Sequence, residues 1–136
     1  RRSPAVGRRR LTPRAMTASK PRATDIRVKR TEKILEIDFE DGASFPLPAE
    51  YLRVESPSAE VQGHGPGQKT LVAGRGHVGI ANVEPVGNYA IRIVFDDLHD
   101  TGIFSWGYLY RLGLEYDDRW AAYLAAMKAE GLSREP

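Results

Sequence analysis

The chain has 136 residues, 41% hydrophobic and 28% charged, the composition of one ordinary globular domain. It holds no Cys, which excludes disulfides, thiolate metal sites and a nucleophilic thiol and fits a reducing compartment such as the cytoplasm, where the chain is expected. No apolar run approaches the roughly 20 residues that span a bilayer, and no apolar stretch follows the first arginines as a secretory signal requires, so no membrane partner is expected.

Charge is segregated along the chain. Residues 1–22 carry Arg1, Arg2, Arg8, Arg9, Arg10, Arg14, Lys20 and Arg22 with no acidic residue, which leaves 12 basic against 18 acidic residues over the rest. This first stretch has no apolar periodicity and reads as a disordered basic tail. Met16 opens a segment that looks like a bacterial start, so residues 1–15 read as an over-extended gene start or an expression remnant. Only if that tail is native does nucleic acid enter as a partner, through its arginines.

The rest reads as one domain over residues 23–131. Ala23 to Lys29 alternates weakly, with Ile26 and Val28 on one face, and Lys33 to Phe39 alternates clearly, which marks half-buried strands. Glu40-Asp41-Gly42 is a hairpin turn needing a positive φ at Gly42, and Ala43 to Leu47 returns as a third strand of an antiparallel meander. Pro48 to Arg53 loses the alternation and predicts one or two helical turns. Glu55 to Thr70 is a long loop rich in Gly and Pro.

Leu71 to Val83 is expected to be extended, interrupted at Gly74-Arg75-Gly76, with a turn at Glu84 to Asn88. Tyr89 to Phe95 is the strongest strand, covered on both faces because only Arg92 is plainly polar. Asp96 to Asp100 turns the chain, and Thr101 to Phe104 pairs back. Ser105 predicts an N-cap for a helix through Leu112, stopped by Gly113. Asp117 or Asp118 caps a last helix to about Glu130, docked by Trp120, Leu124 and Met127, with Tyr123 widening the stripe. Gly131 ends it, and residues 132–136 are expected to fray. The fold class is α+β: a twisted antiparallel sheet covered by short helices, with a C-terminal helix packed on it.

Asp41 to Gln68 (DGASFPLPAEYLRVESPSAEVQGHGPGQ), Val83 to Trp106 (VEPVGNYAIRIVFDDLHDTGIFSW) and the following YLYRLG together resemble the gamma-butyrobetaine hydroxylase-like N-terminal domain family. The resemblance spans about Asp25 to Gly113. Its most specific parts are Gly87-Asn88-Tyr89-Ala90 and the frame of Asp97, His99, Gly102, Ile103 and Trp106. It implies a small domain of unknown function found alone in bacteria, at the N-terminus of iron- and 2-oxoglutarate-dependent hydroxylases, and fused to ATPases that scaffold iron–sulfur clusters. Hydroxylase activity would need a separate catalytic domain. A non-enzymatic binding or adaptor module is therefore the leading expectation, with an iron–sulfur assembly ATPase or a metalloenzyme as protein partner by analogy.

In zinc-binding members of that family, three Cys and a His form a tetrahedral site. The resemblance lays those positions on Ser56, Ser58, Val61 and His99. Two hydroxyls and an isopropyl group replace three thiolates, so no structural zinc is expected. His99 is read first as a structural side chain bonded to the Ser56–Ser58 loop or a backbone carbonyl. The alternative is a small iron(II)-binding site or enzyme built from His99, His64 and Asp97 or Asp100, iron being a cofactor by family analogy only. His77 has no partner in view.

The Gly63 to Gln68 loop lacks the nucleotide-binding Gly/Lys pattern and reads as turn, ahead of an anion cradle. Ser56 and Ser58 sit in a Pro-containing loop, not on a nucleophile elbow. Trp106, Tyr108 and Tyr110 form either an exposed aromatic patch or, for at least one of them, core.

Overall fold

A computed structural model describes residues 21–57, 71–97 and 102–135. The strands are β1 (Ala23–Lys29), β2 (Ile34–Phe39), β3 (Ser44–Pro48), β4 (Ile80–Val86), β5 (Ala90–Phe95) and β6 (Gly102–Ser105). The helices are α1 (Ala49–Val54), α2 (Trp106–Leu114) and α3 (Tyr116–Ala129). Among the described residues the strands form two three-stranded antiparallel sheets, β1-β2-β3 and β4-β5-β6, each in sequence order. The fold is α+β as the patterning implies, with two sheets where one was expected. Pro46 and Pro48 remove two backbone donors from β3, which suits it to the edge it occupies.

Alternation sets the register. On β2, Leu35, Ile37 and Phe39 are buried while Ile34, Glu36 and Asp38 are half-buried. They lie opposite Val28, Ile26 and Ala23 on β1, and Leu35 and Ile37 oppose Leu47 and Phe45 on β3. Gly42 has φ +93° in the β2–β3 turn, the positive value that the hairpin requires. Strand β4 runs on through Pro85 to Val86, past the expected turn, because an edge strand tolerates a missing donor. The chain reverses at residues 87–89 instead. On β5, Ala90, Ile91, Ile93 and Phe95 are buried and Arg92 is exposed.

The β1–β2 turn joins the halves of the molecule. The Lys33 carbonyl accepts from the Ala49 amide at 2.8 Å, and the Lys33 Nζ donates to the His77 carbonyl at 2.8 Å. One continuous apolar core then takes side chains from both sheets and from α1 and α2, including Leu35, Ile37, Leu52, Ile93, Phe95, Phe104 and Leu109. A second, small cluster holds Val54, Tyr123 and Met127, with Leu71, Val72, Ala73 and Trp120 packed on it.

Ser105 caps α2, its Oγ accepting from the Tyr108 amide at 3.1 Å. Helix α2 does not stop at Gly113 but continues to Leu114. Gly113 serves packing: a Cβ there would lie 2.3 Å from the Phe45 ring. Helix α3 begins before the two expected caps. The Glu115 amide donates to the Arg111 carbonyl at 2.9 Å and the Glu115 carbonyl accepts from the Arg119 amide at 2.8 Å, so one residue ends α2 and starts α3. Asp117 and Asp118 fall in the first turn, where they complement the helix dipole.

Leu124, expected in the docking stripe of α3, is 38% exposed, whereas Tyr123 and Met127 of the same stripe are buried. Residues 133 and 134 are tied to the Gly74–Gly76 segment. The Ser133 carbonyl accepts from the Gly74 amide at 2.8 Å and the Arg134 carbonyl from the Gly76 amide at 2.7 Å. Among the described residues no helix is long and apolar enough to cross a membrane.

Two glycines of α2 give opposite expectations. Gly113→Ala forces a methyl group into the Phe45 ring and is expected to lower unfolding free energy by about 3 kcal/mol through overpacking. Gly107→Ala meets nothing within 4 Å and is expected to raise it by up to about 1 kcal/mol through helix propensity. Urea denaturation of the two variants measures both.

Candidate functional site

The segments that the family resemblance marks meet around α1. All six residues of that helix are buried, including Glu50 and Arg53, and Glu55 and Ser56 after it are buried as well. Buried charge costs several kcal/mol per ion unless it is paired, and each of these is. The Arg53 Nε donates to Asp97 Oδ2 at 3.0 Å. The Arg75 Nε lies 2.8 Å from the same oxygen, a contact of opposite charges without hydrogen-bond alignment. The Arg119 Nη1 donates to Glu55 Oε1 at 3.0 Å. Arg134 grips Glu50 with two bonds, Nε to Oε2 at 2.8 Å and Nη2 to Oε1 at 2.7 Å.

Phenols complete the surround. The Tyr51 hydroxyl donates to the Leu112 carbonyl at 2.7 Å, Tyr108 to the Glu55 carbonyl at 2.6 Å and Tyr123 to the Val72 carbonyl at 2.7 Å. Burial pushes the pKa of each of these three phenols above the ordinary value, and for Tyr108 the nearby Glu55 charge adds to it. Tyr110 donates to Asp41; burial first, then that carboxylate bond, pushes its pKa up to about 12.

Further contacts bring the marked segments together. Arg53 and Asp97 link α1 to the turn after β5. Ser56 is fully buried, and its Oγ is 2.8 Å from where a Cβ on Gly102 would stand, so Gly102 admits the Ser56 loop against the start of β6. Asp96 closes the other side: its Oδ1 accepts from the Gly79 amide at 2.9 Å and its own amide donates to the Gly79 carbonyl at 3.0 Å.

The candidate residues divide accordingly. Asp97 faces two guanidinium groups, and Ser56 presents a buried hydroxyl where relatives are expected to present a thiolate. His64, His99, Asp100, Ser58, Val61 and the Gly63–Gln68 loop lie outside the described residues. His77 is exposed, and its carbonyl serves Lys33. Among the described residues no group of three His, Cys, Asp or Glu side chains is placed to hold a metal.

Trp106, Tyr108 and Tyr110 are all half-buried on the main core, not a free aromatic patch. Trp106 Nε1 donates to the Asn88 carbonyl at 2.9 Å. Tyr110 packs edge-on against Phe39 and Phe45, at 4.9 and 5.5 Å between ring centres. Sequence reasoning missed Glu50, Glu55, Arg75, Arg119 and Arg134. Glu50 and Glu55 meet Arg134 and Arg119 across 84 and 64 residues of sequence, Arg75 meets Asp97 across strands β4 and β5, and no local spacing signals such pairs.

The model of the gamma-butyrobetaine hydroxylase-like N-terminal family matches residues 26–110. The chain belongs to this family. Among solved structures, two NMR solution structures align with it. One is 45% identical with a TM-score of 0.77, covering 87% of this chain and 93% of the other. The second is 47% identical with a TM-score of 0.76, covering 93% and 92%. A crystal structure from Acidithiobacillus ferrooxidans is 39% identical with a TM-score of 0.58, covering 68% of this chain and 92% of that one. It is described as a protein of unknown function of the DUF971 family. No curated protein matches the chain. The chain is thus a gamma-butyrobetaine hydroxylase-like N-terminal domain of unknown function.

In this domain Asp97→Ala leaves the Arg53 guanidinium, 3% exposed, beside a lost carboxylate. The expected loss is about 3 kcal/mol, as for one partner removed from a buried pair, read as a lower urea midpoint. The raised phenol of Tyr110 sets an alkaline limit. Its folded pKa of about 12 exceeds the ordinary 10.0, so the stability it contributes is complete below pH 10 and is lost as pH rises toward 12. Denaturant midpoints taken across that range should fall for the wild type and fall less for Tyr110→Phe.

Proposed function

We propose that this gamma-butyrobetaine hydroxylase-like N-terminal domain is a non-enzymatic binding module that acts by contact with a protein partner. The observation that supports this reading is the use of its buried carboxylates. Glu50, Glu55 and Asp97 each face an arginine from a distant part of the chain. A carboxylate already committed to a guanidinium within the chain is not free to take a proton from a substrate or give one to it.

Metal coordination is disfavoured on the same grounds. A cation approaching Asp97 meets Arg53 and Arg75 on the same oxygen, and two fixed positive charges oppose a third. Ser56 offers a neutral hydroxyl to a zinc ion that wants thiolate or imidazole. The domain accordingly carries no structural zinc in this reading, and any link to iron is through the partner. By analogy with domains fused to iron–sulfur scaffold ATPases, that partner is an iron–sulfur assembly ATPase or a metalloenzyme.

Two measurements test the proposal. The tagged chain, expressed at native level in its own host, should enrich such a protein over a tag-only control; its absence from replicate captures would overturn the partner assignment. Iron(II) and zinc titrated into purified protein should give no stoichiometric binding. Micromolar binding abolished in His99→Ala would replace this reading with the small iron(II) site of His99, His64 and Asp97.

A further inference from the structure

A surface that recognises arginine is already occupied in this domain by the chain's own residues. Helix α3 ends at Ala129, and Gly131, with φ +68°, turns the chain back, the Leu132 amide donating to the Met127 carbonyl at 2.9 Å. The chain then passes beside Gly74 to Gly76, bending at Arg134. Its carbonyls at Ser133 and Arg134 accept the Gly74 and Gly76 amides at 2.8 and 2.7 Å. The Arg134 side chain reaches the buried Glu50 carboxylate with a two-bond fork, and its guanidinium carbon lies 5.5 Å from the centre of the Trp120 ring. Backbone donors, a bidentate carboxylate and an aromatic face are the three elements with which proteins bind an arginine-bearing segment.

The surface and its occupant differ in how firmly they are built. Glu50 is 7% exposed on a helix of the main core, whereas the Arg134 side chain is 48% exposed and all of residues 131–135 are exposed. The Gly74–Gly76 segment follows Leu71, Val72 and Ala73, which pack on the small second cluster and not on the main core. A Cβ on Gly76 would stand 3.0 Å from the Arg134 carbonyl, so the two backbones approach closely there. Glu50 is thus held deep on the main core, and the strap that meets it lies at the surface.

We propose that Glu50, Trp120 and the Gly74 and Gly76 amides form a receptor for a short arginine-bearing peptide segment, closed in cis by the Ser133–Arg134 strap and opened when a partner segment displaces it. The proposal rests on the binding-module reading and adds the chemistry of the partner. It does not depend on that partner being a metalloprotein. Opening also loosens Arg75, which lies between the two strapped glycines and beside Asp97, so occupancy of the receptor is passed to the turn after β5.

The full-length chain carrying Arg134→Ala, labelled with ¹⁵N, tests this directly. Its Gly74 and Gly76 amides should exchange with solvent at least tenfold faster than in the wild type, while Ile93 in the main core keeps its wild-type rate. A capped Leu-Ser-Arg-Glu peptide should then shift the Gly74, Gly76 and Trp120 indole resonances saturably and slow the exchange again. About millimolar peptide is needed, the effective concentration of a tethered strap. The same peptide with Gln in place of Arg should do neither, and Glu50→Gln should abolish the response. Unchanged exchange in Arg134→Ala, exchange that rises equally at Ile93, or no peptide response at millimolar concentration would each overturn the proposal. Should Arg134→Ala not fold, Arg134→Lys, which keeps the charge without the fork, takes its place with the same outcomes. A failed peptide titration with a successful host capture removes this receptor alone, and the reverse result removes only the metalloprotein partner.

Discussion

The structure depends on a short helix that has no side facing water. Helix α1 is six residues long and wholly buried, far too short to persist by its own hydrogen bonds. It is held because Leu52 and Tyr51 enter the main core and because its charges are answered from outside. Glu50, Arg53 and the following Glu55 point toward three different parts of the chain and meet Arg134, Asp97 and Arg119 there. Desolvating such groups costs more than their attraction returns when the geometry is poor. Each pair therefore forms only if the turn after β5, helix α3 and the C-terminal strap all sit in register with α1. The ionic links fix arrangement more than they add stability.

That arrangement also explains why the molecule has two apolar clusters of unequal size. The large one is closed by the two sheets and by α2, through residues whose positions follow from strand alternation. The small one, Val54 with Tyr123 and Met127, forms where α3 crosses the end of α1, and the Leu71–Ala73 segment covers it. A cluster of three buried residues excludes little water, so its cover is held by polar links such as Tyr123 to the Val72 carbonyl and the strap to Gly74. Local stability follows apolar burial, and the segment beside Arg75 is accordingly the softer part of the described structure.

Much of this was legible in the sequence and some was not, for reasons that separate cleanly. Strands β1, β2, β3 and β5, the Gly42 turn and the Ser105 cap are written in local periodicity and turn chemistry, and they stand within a residue or two of the reading. Gly113 misled because a glycine at a helix end reads as a stop, while its actual role is contact with Phe45 from a distant strand. Pro85 misled in the same way, since its tolerance depends on β4 being an edge. Leu124 was assigned inward by spacing but is exposed, while Tyr123, read as the stripe's margin, is buried with its hydroxyl on the Val72 carbonyl. Every ionic partner around α1 is separated by dozens of residues, and that pairing is invisible to any window along the chain. Of the candidate metal residues only Asp97 lies among the described residues, and its surroundings were the part least open to sequence reasoning.

The residues that carry the family resemblance mostly do structural work, and this limits what the family name conveys. Gly87 has φ +56° and shapes the turn between β4 and β5. The carbonyls of Asn88 and Tyr89 accept from the indole and the amide of Trp106, at 2.9 and 3.1 Å, so the most specific motif and the aromatic at the end of the frame are two halves of one joint. Ala90 is fully buried opposite Ser105, the cap of α2. Gly102 makes room for the Ser56 hydroxyl and the Phe104 ring. Among the described residues of that set only Asp97 carries charge, and it faces Arg53 and Arg75. A chain can keep all of these residues because the joint between β5, β6 and α2 requires them, whatever is attached to the domain or bound by it. Membership therefore transmits a scaffold. What this domain recognises must be sought in the polar surfaces around α1, where its charges come from several distant parts of one chain.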